Sequence, residues 1–119
     1  MKIFSFNCRG LARPHKKLAL RRLLTKIPLD IIFLQETLGL ALDIFQSLQN
    51  MLPSLIFIGV DAHGRSGGLA LGYNTQSIKL LNCWGGLGHL GANIRFANMG
   101  MNFRIYNVYG PCQNRPAFW

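Results

Sequence analysis

Acidic residues are scarce in this chain. It has four, Asp30, Glu36, Asp43 and Asp61, against thirteen lysines and arginines, which leaves a net charge of +9. None of the four is followed by histidine and none begins an Asp-x-Asn triplet, so no acid–histidine dyad can be read from adjacent residues. The three cysteines, Cys8, Cys83 and Cys112, form an odd set without Cys-x-x-Cys spacing. That excludes a complete disulfide framework and a spaced zinc site, and it reads as reduced thiols in an intracellular protein. The apolar runs are broken by Asp, Asn or Gly well short of the roughly 18 residues a membrane span requires. The amino terminus opens with a strand pattern, which argues against a signal peptide. Proline is sparse, five residues in all, and no linker, repeat or low-complexity run is visible.

What remains is an alternation of strand and helix patterns within one domain's length. Residues 2–8 read as a strand. Residues 14–27 read as a helix, with Pro14 in its first turn, Leu20, Leu23, Leu24 and Ile27 at helical spacing, and Pro28 as its stop. Residues 30–35 are apolar without alternation, the pattern of a strand buried on both faces. A second helix is expected over 40–51, with Leu42, Phe45, Leu48 and Leu52 inward. Strands follow at 55–60, 68–74, 77–83, 91–98 and 102–108, and Asn98-Met99-Gly100 has the chemistry of a hairpin turn. Two early helices and a late run of antiparallel strands predict an α/β (α+β) chain with one mostly antiparallel sheet and two helices on one face.

The only glutamate, Glu36, ends the most apolar strand. A carboxylate there is costly unless a cation or hydrogen bonds compensate it, and strand carboxyl ends line the ligand crevices of α/β sheets. The plainer reading is an acid that ends its strand in solvent. Two other strands end in polar groups of chemical interest: Asn7 is followed by Cys8-Arg9-Gly10, and Tyr109 by Gly110-Pro111. Taken alone, Asn7 reads equally as a turn former and Tyr109 as a rim aromatic. Eight of the thirteen basic residues fall within the first 26 positions. Such a surface suits a polyanion, because neutralised phosphates release counterions; the alternative is the solvated face of one amphipathic helix.

In order and spacing, Phe6-Asn7-Cys8-Arg9-Gly10-Leu11, Ala19 to Leu23, Asp30 to Thr37, Gly64 to Leu71 and Asn107-Val108-Tyr109-Gly110-Pro111 resemble the endonuclease/exonuclease/phosphatase superfamily. The closer likeness is to the start of the endonuclease domain of plant LINE-type (non-LTR) retrotransposons. The resemblance implies that residues 1–119 are a partial domain, the N-terminal half of a four-layer α/β sandwich. It implies metal-dependent phosphodiester cleavage with Mg²⁺ or Mn²⁺, Glu36 and Asn7 at the metal, and Tyr109 donating to the scissile phosphate. Arg9, Arg65 and Asn114 would contact substrate, although Cys112 stands where the superfamily commonly has asparagine after Tyr-x-Pro. Gly67 and Gly68 are expected to allow close packing of the strand they begin. The family's later Asp-x-Asn and Asp-His motifs have no counterpart here, so activity of the chain alone is not expected. The partner implied is nucleic acid, DNA foremost, in the nucleus. Two further readings stay open: a basic nucleic-acid-binding remnant without catalysis, and a fragment that folds only with a partner chain, with a partner chain or self-association covering an exposed sheet face.

Overall fold

The computed structural model describes residues 1–11, 13–39, 41–63 and 66–110. Its elements follow the order β1 (Ile3–Asn7), α1 (Pro14–Leu24), β2 (Ile31–Gln35), α2 (Ala41–Met51), β3 (Leu55–His63), β4 (Ser66–Asn74), β5 (Ile78–Gly86), β6 (His89–Phe96) and β7 (Met101–Val108). The chain is α+β with both helices on one side, as its pattern predicts. The single sheet is not: the strands divide into a four-stranded sheet ordered β1-β2-β4-β3 and a three-stranded sheet ordered β5-β6-β7. Within the first, β1 runs parallel to β2 and the remaining pairings are antiparallel.

The physical reason for two sheets lies in where the apolar residues go. Ile32, Leu34, Phe57 and Ala70 join Leu20 and Leu24 of α1 and Ile44 and Leu48 of α2 in one buried cluster. Ile31, Leu69 and Leu71 point the other way and need a second cover. Leu90, Ala92, Ile94 and Phe96 provide it, alternating along β6 with residues that face outward. The second sheet therefore lies across the first rather than extending it, and the inner face of the first sheet is covered by the chain itself. At 0% exposure Ile31, Ile32 and Leu34 make β2 a strand buried on both faces.

The turn from β4 to β5 is anchored at the amino end of β2. Ser77 Oγ donates to Asp30 Oδ1 at 2.6 Å, and the Lys2 amide donates to Asp30 Oδ2 at 2.8 Å. Burial alone would raise the Asp30 pKa, but these two bonds and the charges of the amino terminus and Lys2 outweigh it and hold the carboxyl below its ordinary range. Asp30 is thus a structural acid. It sits at the opposite end of β2 from Glu36.

Two details of α2 and α1 differ from the helical spacing. Leu42 is 79% exposed, because the inward stripe runs through Ile44, Leu48 and Leu52 at intervals of four. Leu23 and Ile27 are exposed while Leu20 and Leu24 are buried, and the helix ends at Leu24. Gly59 of β3 lies where Phe45 of α2 packs closely on the sheet. A Cβ there would stand 2.5 Å from the Leu69 carbonyl oxygen and 2.9 Å from the Phe45 ring. Backbone cannot yield cheaply, so Gly59→Ala is expected to cost about 1–3 kcal/mol. A urea midpoint equal to that of the parent chain would contradict this packing.

Candidate active site

Backbone strain gathers at one end of the molecule. Arg9, Glu36 and Leu38 are the non-glycine residues with positive φ among those described, at 49°, 52° and 55°. All three follow the carboxyl ends of β1 and β2. Gly10, Gly67 and Gly68, at 93°, 81° and 86°, complete the same region. A non-glycine residue held in the left-handed region costs about 1–3 kcal/mol and persists only where surrounding bonds enforce it. Here they do. The Glu36 carbonyl accepts from the Gly10 amide at 2.7 Å, and the Thr37 and Leu38 amides donate to the Gly68 and Gly67 carbonyls at 3.2 and 3.1 Å. Gly67 serves this turn by conformation rather than by packing, since a Cβ there would meet nothing within 4 Å; Gly68 shares the positive φ and is buried.

The left-handed turn takes Glu36 out of the ladder and toward the second sheet. There its Oε1 accepts a hydrogen bond from the hydroxyl of Tyr109, the residue after β7. Tyr109 is placed by its own amide, which donates to the Gly88 carbonyl at 2.9 Å in the β5–β6 turn. A carboxylate and a phenol 73 positions apart in the chain thus meet where the two sheets come together. Asn7 ends β1 directly beside Gln35, the residue before Glu36. Its Oδ1 accepts from the Arg9 amide at 3.1 Å, so the turn-forming role of Asn7 is realised, and one lone pair of that oxygen is taken. Arg9 is exposed on the same rim. Arg65, Asn114 and Cys112 lie outside the described residues.

Three residues at this end escaped sequence reasoning. Asn107 is 1% exposed. Its Nδ2 donates to the carbonyls of Leu34 on β2 and Ala70 on β4, at 3.1 and 2.9 Å. Its Oδ1 accepts from Gln35 Nε2 at 2.8 Å, and the same nitrogen lies 3.0 Å from Ser5 Oγ. This amide network fastens β7 onto the first sheet one turn of alternation before Tyr109, and so sets where the phenol reaches. Lys16 is the third. Rather than pointing into solvent, its Nζ turns back on the carbonyls of Cys8 and Arg9. The Cys8 thiol is pushed up to about 12, chiefly by burial, with Glu36 adding to the rise and Lys16 opposing it. It is a packing residue, not a nucleophile.

The oxygen chemistry of Glu36 and Asn7 suits a hard divalent cation, but the set is sparse. Among the described residues no group of three or more His, Cys, Asp or Glu stands close enough to hold a metal.

The profile of the Endonuclease/Exonuclease/phosphatase family matches residues 4–111. The chain belongs to that family. No curated protein matches it in sequence. Solved structures share the family's fold with it. A mannosyl-6-phosphatase of Bacteroides thetaiotaomicron superposes with a TM-score of 0.76 at 16% identity, over 97% of this chain and 53% of its own. TDP2 of D. rerio, complexed with single strand DNA product, superposes at 0.74 and 19% identity, over 95% of this chain and 47% of its own. The catalytic domain of human Nocturnin with a bound sulfate anion gives 0.61 at 20% identity, over 85% and 46%. The chain therefore spans about half the length of the solved structures of its fold. Family enzymes are generally dependent on divalent metal, and Glu36, Tyr109 and Asn7 stand at one end of the two sheets in this fold half.

Proposed function

We propose that this chain carries the phosphate-polarising part of a metal-dependent phosphodiesterase that acts on nucleic acid, and that it does not cleave unaided. The observation that carries the reading is the Glu36–Tyr109 pair, held at a strained strand end in a chain of this family. Glu36 would hold Mg²⁺ or Mn²⁺ with the free lone pair of Asn7 beside it; when bound, such a cation polarises a phosphoryl oxygen and stabilises the leaving alkoxide. Tyr109 would turn its hydroxyl from the carboxylate to a phosphate oxygen, since a phenol donates one proton at a time. The groups that orient an attacking water would come from elsewhere, because no acid–histidine pair is adjacent in this sequence.

Nucleic acid fits the charge. The last acid is Asp61, so every charged side chain after it is a lysine or arginine. The motifs shared with plant LINE-type retrotransposons support an origin in such an element, an endonuclease substrate of DNA and a nuclear site of action. A binding remnant without catalysis is the competing reading, and it differs in one respect: its affinity for DNA would be indifferent to Glu36 and to chelators.

Metal binding tests the assignment. One carboxylate and one amide are few ligands for Mg²⁺, which relies on further carboxylates or substrate phosphates. The expected result is weak binding, in the millimolar range or worse, lost in Glu36→Gln. Micromolar affinity by calorimetry that survives this substitution would place the metal elsewhere.

A further inference from the structure

Both candidate metal ligands are already engaged by donors of the chain itself. Glu36 Oε1 accepts from the Tyr109 hydroxyl, and Asn7 Oδ1 accepts from the Arg9 amide at 3.1 Å. The two bonds differ in kind. The second closes a local turn. The first joins side chains 73 positions apart, and the backbone places both residues without it. The Glu36 carbonyl accepts from the Gly10 amide, the Tyr109 amide donates to the Gly88 carbonyl, and Tyr109 packs on the apolar cluster between the sheets. The carboxylate and the phenol can therefore part while both strand ends stay where they are.

Charge decides which way this bond acts. A phenol that donates to a carboxylate stabilises the anion, and so opposes whatever else draws on the same negative charge. A divalent cation draws on all of it. Among the described residues no group of three or more His, Cys, Asp or Glu makes up the difference.

We propose that the Glu36–Tyr109 hydrogen bond is an autoinhibitory contact of the empty site. The phenol holds the carboxylate that a divalent cation needs, and the carboxylate holds the hydroxyl hydrogen that a phosphate oxygen needs. Glu36 releases the phenol once its charge is taken up by the cation, and Tyr109 then has its one hydrogen for phosphate. The cation binds first, and by linkage cation and phosphate strengthen each other. The proposal rests on the phosphodiesterase reading and adds an order of binding to it.

The test titrates Mn²⁺ against the 119-residue chain, Tyr109→Phe and Glu36→Gln, with the free ion counted by paramagnetic resonance. Phenylalanine keeps the ring and removes only the hydroxyl. Tyr109→Phe is expected to bind Mn²⁺ about tenfold more tightly than the parent, the weight of one hydrogen bond to a charged group. A phenol that merely orients the carboxylate for the ion predicts the opposite sign. In the parent, Mg²⁺ is expected to produce an ultraviolet difference band of a tyrosine leaving a carboxylate, absent from Tyr109→Phe. Dimethyl phosphate is expected to shift that band only when Mg²⁺ is present. Should Tyr109→Phe unfold, as circular dichroism would show, the band of the parent decides. Equal or weaker Mn²⁺ binding by folded Tyr109→Phe overturns the proposal, and so does a band that answers to dimethyl phosphate alone. Glu36→Gln reads the assignment beneath it. Binding lost there, with no tightening in Tyr109→Phe, removes the contact and leaves the metal site standing. Binding retained there removes the metal site and the proposal with it.

Discussion

Asn107→Asp is expected to destabilise the chain by about 2–4 kcal/mol at neutral pH, enough to remove much of the stability of a domain this size. The substitution keeps the shape of the side chain, so no cavity contributes. It keeps the oxygen that accepts from Gln35. What it removes are the N–H groups that satisfy the Leu34 and Ala70 carbonyls, and it replaces them with a carboxylate oxygen facing two carbonyl oxygens. Burial and that repulsion raise the pKa of the new carboxyl in the folded state above its unfolded value. The sign follows from linkage. The folded chain holds the proton more tightly, so the deficit is smallest below the unfolded pKa and grows as pH rises through the interval up to the folded one. Urea denaturation at acid and neutral pH measures both parts. A variant as stable as the parent, or one that gains stability with rising pH, would mean that Asn107 does not join the sheets.

That residue also shows how far the sequence is legible. Elements could be read because each follows a local period: the unbroken apolar run of β2, the four-residue stripe of α2, and the alternation along β6. The partition of strands between two sheets could not, since alternation says which residues share a face and not which face they cover. Ile31 and Ile32 look identical as letters, yet one faces the helices' side and the other faces the second sheet. Asn107 reads as an ordinary strand residue within Ile-Tyr-Asn-Val-Tyr. The one signal available was its position: counting alternately from Phe103 and Ile105 places it on the inward face, where an amide must find partners.

The candidate site was legible to the same degree. Strand-end positions marked Asn7, Glu36 and Tyr109, and the fold brings Glu36 to Tyr109 and sets Asn7 beside Gln35. The left-handed turn that aims Glu36 had no letter to announce it, because the residue in that conformation is not glycine. Lys16 was hidden for a related reason. Its helix face reads as solvated, and only the fold shows the β1–α1 connection curling back to offer it two carbonyls.

Catalysis separates the proposed reading from its competitor most sharply. The purified chain is expected to nick supercoiled DNA no faster than Glu36→Gln, with or without Mg²⁺. Polarising the phosphate is half of the chemistry. The attacking water must also be oriented and deprotonated, and acid–base assistance contributes about 10²–10⁴-fold. Among the described residues no group of three or more His, Cys, Asp or Glu stands together at that end. When a complementing half-domain with an acid–histidine pair is supplied, the parent chain should gain Mg²⁺-dependent nicking by a factor in that range, and Glu36→Gln should gain none. If both gain equally, Glu36 is not the metal ligand and the chain contributes binding alone. If the short chain nicks by itself, and loses this on substitution of Glu36, a base for the water lies within these 119 residues and the division of labour proposed above is wrong.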